Sequence, residues 1–429
     1  MTLHALTLHE ARSRIGAGTL TVLDYANALL DRIGRTDANI EAWAWLDAKA
    51  VRREAMRLDG LPAAQRGALH GIPVGLKDII HTASMPTGLG SETMLASASR
   101  HDAACVKRLL DAGAYAFGKT VTTELAFMHP GKTRNPWNAA HTPGGSSQGS
   151  AAAVAAGHVP AALGTQTNGS VIRPAAYCGV VGFKPTLGAI PFRGVNLFSE
   201  TLDTLGTFTR SVADAALLAS VLVGDTFDST LETPPKLALL DEFPWTPVDC
   251  DADDTLEAGA TKLRVAGADI ESVFLPEALR DTPAVHRTIM LHEAARNLGE
   301  LQQRHRAQFS ATLNAALDEG RGISTRDYES ALRRRSEAVQ AAGEWMAAYD
   351  AVIAPPTPAG APVGLERTGD PSCCTFASLL GAPAVSLPIA FDAARMPLGM
   401  QLLASPGADA RLLAIAAWCE ARLPFRGLA

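Results

Sequence analysis

Apolar positions in the first sixty residues recur at three-to-four spacing, at Leu6, Ala11 and Ile15 and then at Leu23, Ala26, Leu29, Leu30 and Ile33. That spacing predicts two or three amphipathic helices. From Leu69 the pattern shortens, and runs such as Ile72-Pro73-Val74-Gly75-Leu76 alternate with helical stretches such as 103–112, with glycines at the joints. Strand and helix in alternation predict an α/β fold. Between 144 and 185 the pattern stops, because Ser, Gly, Thr, Asn and Ala dominate and large side chains are scarce. Such a composition lets backbone approach another group closely. From 234 to 344 helical periodicity returns, with a strand at Lys236–Leu240 and helices over 291–317 and 328–346. Residues 351–356 read as a buried strand ending in a Pro-Pro turn, 384–389 and 398–403 as two strands around a turn at 392–397, and 409–422 as a closing helix. No fixed-period repeat and no linker-like tract interrupts the chain, which favours one integrated domain.

Composition narrows the classes. Of 429 residues, 47% are apolar and 19% charged, which excludes a disordered or fibrous protein. The net charge of −6, from 44 acidic and 38 basic residues, comes with no long like-charge block, so no nucleic-acid or anionic-membrane partner is expected. Arg333-Arg334-Arg335 reads as a solvated helix face. Residues 1–14 mix His4, His9, Glu10, Arg12 and Arg14 with apolar positions and do not resemble a signal peptide, and no apolar run reaches the ~20 residues of a membrane span. The six cysteines lack C-x-x-C spacing, and Cys373 and Cys374 are adjacent, so the expectation is a reduced cytoplasmic protein without a structural metal.

Three stretches carry candidate chemistry. Gly113 to Thr120 spells the phosphate-loop pattern G-x-x-x-x-G-K-[ST], but a helical stretch precedes it and Tyr115-Ala116-Phe117 reads as a strand inside the supposed loop. It is read as a helix-to-strand junction with Lys119 at a strand end. Gly145-Ser146-Ser147-Gln148-Gly149 fits the nucleophile elbow G-x-S-x-G, which would make Ser147 a nucleophile. Thr142-Pro143 stands where the elbow needs an apolar strand, and the histidines at 286, 292 and 305 lie in helical pattern. The third constellation is distributed: Lys77 at the end of an apolar strand, the Gly144-Gly145-Ser146-Ser147 turn, and Ser170 closing a run of small residues whose amides can converge on an oxyanion. A desolvated lysine loses its proton readily and serves as a neutral base for a serine.

With these residues in view the chain resembles the amidase signature family, through the 71–78 segment, Gly118-Lys119-Thr120, 144–149, 164–186, 381–388 and Pro397-Leu398-Gly399-Met400-Gln401. The 24 positions between Ser146 and Ser170 are also that family's. The resemblance implies a single α/β domain built on a mixed, twisted sheet of about ten strands covered by helices on both faces. It divides the chain into N-terminal helices over 1–65, a catalytic signature core over 66–215, and a helical insertion with C-terminal strands over 216–429. It implies a Lys77, cis-Ser146, Ser170 triad in which Ser170 attacks the carbonyl, Ser146 relays its proton and Lys77 is the base. The amides of Thr167, Asn168, Gly169 and Ser170 would form the oxyanion hole, and Arg173 and Ser147 are candidates for substrate binding.

The chain departs from the common family pattern at Gln166, Asn168 and Ile172, with the arginine moved one place on to Arg173. That form, with Met85-Pro86-Thr87 and Gly90-Ser91-Glu92, resembles the malonamidase branch, in which this arginine faces a substrate carboxylate. Against this stands the reading in which Arg173 packs against the Ser170 loop and pairs with a structural acid. The implied function is an amidase, a hydrolase of carbon–nitrogen bonds other than peptide bonds, acting on a small linear amide without a cofactor. Urea-like, urethane or ester substrates, or the amidase-like subunit of a glutamine-dependent amidotransferase, are the alternatives. The pocket is expected to draw on Met85, Met128 and the 192–202 segment, and a homodimer is consistent with the family.

Overall fold

The computed structural model describes residues 2–91 and 97–428, so Glu92 lies outside the described residues. The N-terminal stripe folds into three helices, Leu8–Gly16, Val22–Ile40 and Ala48–Asp59. Thr7 and Glu10 form a capping box on the first, and Thr21 and Asp47 cap the other two by accepting from backbone amides one turn in. Ala11, Ile15, Ala26, Leu29, Leu30 and Ile33 are buried, as the spacing predicts.

Eleven strands form one mixed sheet among the described residues. In spatial order they are Trp43–Trp45, Tyr115–Thr120, Pro73–Lys77, Ala161–Gln166, Thr204–Thr209, Val181–Lys184, Ala384–Phe391, Pro397–Leu403, Ala351–Ala354, Lys236–Leu240 and Asp269–Val273. Pairing is parallel among Tyr115–Thr120, Pro73–Lys77 and Ala161–Gln166, and again where Lys236–Leu240 meets its two neighbours; the middle of the sheet is antiparallel. Alternate residues feed different cores. Leu237 and Leu239 pack with the helices Val212–Val223 and Asp409–Glu420, while Ala238 and Leu240 pack with Thr325–Met346 and Thr375–Leu380. Helices therefore cover both faces. No described helix is long and apolar enough to cross a membrane.

Two readings need correction. The 291–317 stretch is not one helix but the end of Thr282–His305 and most of Ala311–Gly322, broken where Ser310 caps the second helix and the Glu124 carboxylate holds the Ser310 amide at 3.0 Å. The three-residue strand Trp43–Trp45 was invisible to periodicity because it is too short to show alternation.

Two neighbouring parallel strands, Pro73–Lys77 and Ala161–Gln166, end on the same edge of the sheet, with Leu76 paired to Leu163. Lys77 closes the first, and Gln166 closes the second just before the turn to Ser170. The helix Gln148–Ala155 starts beside them and is buried along its whole length.

Candidate active site

Lys77 is fully buried. Its Nζ lies 2.6 Å from Ser146 Oγ and 2.8 Å from Thr165 Oγ1, with the Thr165 carbonyl at 3.5 Å. No described carboxylate is bonded to it. Burial pushes the amine down to about 7, and the negative charge of Asp203 opposes that fall. The peptide bond between Gly145 and Ser146 is cis.

Ser170 sits at the mouth of a tight turn, 9% exposed, and its hydroxyl bonds to no other described group. The amides of Thr167, Asn168, Gly169 and Ser170 donate to no other group of the described chain. The next two amides are taken: Gln166 Oε1 accepts from Val171 at 2.9 Å and from Ile172 at 3.0 Å. Gln166 Nε2 donates to Ser378 Oγ at 3.0 Å, the Ser378 hydroxyl donates to the Asn168 carbonyl, and Thr375 Oγ1 donates to Asn168 Oδ1 at 2.8 Å. Two of the departures from the family pattern, Gln166 and Asn168, thus share one network with the helix Thr375–Leu380. Four consecutive unpaired amides beside a serine hydroxyl make a cradle for an oxyanion.

Ser147 is placed elsewhere. Its Oγ is buried, donates to the Thr165 carbonyl at 3.2 Å and accepts from the Thr165 amide at 3.3 Å, so it pins the start of a helix to a strand. The sequence names Ser147 as a candidate for substrate binding; the structure turns its hydroxyl to the Thr165 backbone. Arg173, 2% exposed, donates to the carbonyls of Gly145 and Gly369, both at 2.7 Å, and to Thr368 Oγ1 at 3.2 Å. Its Nε has no partner, and no described carboxylate is bonded to it. Lys119 of the phosphate-loop look-alike lies in the strand Tyr115–Thr120 and donates to the Ile80 carbonyl and to Thr87 Oγ1. Met85 is buried and lines a separate cleft with Trp45, Asp102 and Tyr115, whereas Met128 is exposed.

Known proteins share the fold that carries this arrangement. The amidase family profile matches residues 24–413. The chain belongs to the amidase signature family.

Among its relatives, a glutamyl-tRNA(Gln) amidotransferase subunit of Symbiobacterium thermophilum is 34% identical over 93% of this chain and 93% of its own length. A crystal structure of an amidase superposes with a TM-score of 0.91 at 32% identity, over 97% of this chain and all of that one. The peptide amidase of Stenotrophomonas maltophilia does so at 0.83 and 29%, over 98% of each. The amidase is accordingly a hydrolase of carbon–nitrogen bonds other than peptide bonds. Its sequence did not reveal Asp203, which accepts from Thr167 Oγ1 at 2.6 Å, or His286, whose Nε2 lies 2.9 Å from the Thr167 carbonyl. The one signal for Asp203 is a lone acid opening an otherwise uncharged strand run, Thr204-Leu-Gly-Thr-Phe-Thr209.

Proposed function

We propose that this amidase hydrolyses a small linear amide through an acyl-enzyme on Ser170, with Ser146 as proton relay and Lys77 as base. The observation that carries the reading is the Lys77 amine: buried, bonded to no described carboxylate, 2.6 Å from Ser146 Oγ and held near 7. A base works best with a pKa near the working pH. Ser170 Oγ attacks the carbonyl carbon and gives its proton to Ser146 Oγ, while the proton of Ser146 passes to Lys77 Nζ. The charge that develops on the carbonyl oxygen meets the amides of Thr167, Asn168, Gly169 and Ser170. As the carbon–nitrogen bond breaks, the proton on Lys77 returns through Ser146 to the leaving amine. Water then attacks the ester along the same relay, which releases the acid and restores the Ser170 hydroxyl. Urea-like, urethane and ester substrates fit the same steps.

In this reading the acyl part bears a carboxylate. Support comes from Arg173, a buried cation with an unpartnered Nε and no described acid bonded to it. Guanidinium is suited to bidentate recognition of such a group. The second reading, an amidotransferase component that releases ammonia for a partner, is favoured by the similarity to the Symbiobacterium thermophilum protein.

A fluorophosphonate should label Ser170 covalently, and Ser170→Ala should abolish label and turnover together. Label on another serine would sink the triad. The purified chain should hydrolyse an amide without ATP, whereas turnover that appears only with a partner chain and ATP would select the amidotransferase reading.

A further inference from the structure

The turn that carries the free amides is held from outside the triad. Gln166 stands opposite Thr204 in the antiparallel pair, so Thr167 and Asp203 face each other across the next step. Thr167 Oγ1 donates to Asp203 Oδ1 at 2.6 Å, and Asp203 Oδ2 accepts from the amides of Phe198 at 2.7 Å and Ser199 at 3.1 Å. On the other side His286 Nε2 donates to the Thr167 carbonyl, an oxygen with no proton to give, so this nitrogen carries the hydrogen. The loop that supplies those amides is tied down in turn by Glu293, which accepts from the hydroxyls of Ser199, Thr201 and Tyr328.

We infer that Asp203 is a positioning residue of this site: its carboxylate fixes the amide turn through Thr167 and sets its negative charge against the working amine of Lys77. The inference rests on the triad reading above. Burial alone drives a lysine amine toward a weak base, and a negative charge nearby restores part of its proton affinity. Asp203 is the one acid whose charge acts on Lys77 among the described groups. The titratable groups around it are few. Lys77, at the end of the strand Pro73–Lys77, acts on it through its charge, and His286 stands behind Thr167 on the helix Thr282–His305, kept neutral by burial at about 4. Glu293 and Tyr328 lie one contact further out, behind Ser199 and Thr201. Burial also pushes Asp203 itself up to about 6, next to the range in which Lys77 titrates.

Asp203→Asn separates this role from simple scaffolding when kcat and KM for one amide are followed against pH. The plateau of kcat should fall about 10- to 100-fold, because a misplacement on the order of 1 Å costs about 10². The acid limb should also move to lower pH, since Lys77 holds its proton less firmly once the negative charge is gone. Asp203→Glu, which keeps the charge and displaces it, should lower the plateau and leave the limb near its wild-type position. An unmoved limb in Asp203→Asn overturns the inference. Should that variant fail to fold, Thr167→Val removes the donor and keeps the shape; a plateau loss in the same range supports the inference, and a wild-type plateau overturns it. Labelling is read in parallel. Wild-type enzyme without label on Ser170 defeats the triad itself, whereas label on Ser170 with an unmoved limb defeats only the role of Asp203.

Discussion

A lysine amine that burial pushes down to about 7, with no described acid bonded to it, makes the charge of one residue the gate of the proposed reaction. In the proposed mechanism the neutral amine is the working form, so kcat/KM should fall as pH drops below about 7 and Lys77 takes up its proton. Lys77→Ala should cost ~10² to 10⁴ in rate at the plateau, and full activity in that variant would remove Lys77 from the mechanism. Arg173 divides its fork between the Gly145 and Gly369 carbonyls, so its loss should weaken every substrate somewhat. On a carboxylate-bearing amide Arg173→Ala should lose about 2–5 kcal/mol of binding, and clearly less on a neutral amide of equal size. Equal losses with a lowered melting temperature would make it scaffold alone. Lys77, Ser146 and Ser170, the proposed triad, could be named from the chain alone because motif and spacing lie along it. Asp203 and His286 could not, because their meaning arises only when Thr167 meets a strand and a helix from distant sequence.

Buried strands rich in large apolar residues, such as Pro397–Leu403, and helices with one wet face were readable, whereas buried elements built from small residues were not. The N-terminal helices keep a polar side and show it as a stripe, whereas Gln148–Ala155 and Ala161–Gln166 are buried at every position and offer no alternation to detect. Their small residues have a packing purpose that can be measured at Gly149. Replacing glycine by alanine inside a helix usually stabilises by roughly 0.5–1 kcal/mol. Here a Cβ at Gly149 would stand 2.2 Å from the Ala42 carbonyl oxygen and 2.4 Å from the Val121 nitrogen, both backbone. Gly149→Ala should therefore reverse the usual sign and destabilise by about 1–3 kcal/mol in urea denaturation, the range for an overfilled core. A neutral or stabilising result would mean that the helix has room to move off its neighbours.

At the scale of the whole molecule, chain order and chemistry divide unevenly. Lys77, Ser146, Ser170 and Asp203 all precede the run 225–234, which is largely exposed and lies between the helix Val212–Val223 and the strand Lys236–Leu240. The chain beyond that run supplies His286, Ser378 and the strand Ala384–Phe391, which joins the sheet through Val181–Lys184. The absence of a linker-like tract points to one integrated domain, and this seam gives the physical reason, since the sheet of each half ends on the other. The seam also makes the enzyme a candidate for fragment complementation. Severed between Asp228 and Ser229, the first piece would keep every reacting side chain yet leave Asn168 and the Thr167 carbonyl without Ser378 and His286. Each piece expressed alone should be inactive and the two coexpressed should recover amide hydrolysis. Activity in the first piece by itself would show that the later half of the chain is dispensable for holding the amide turn.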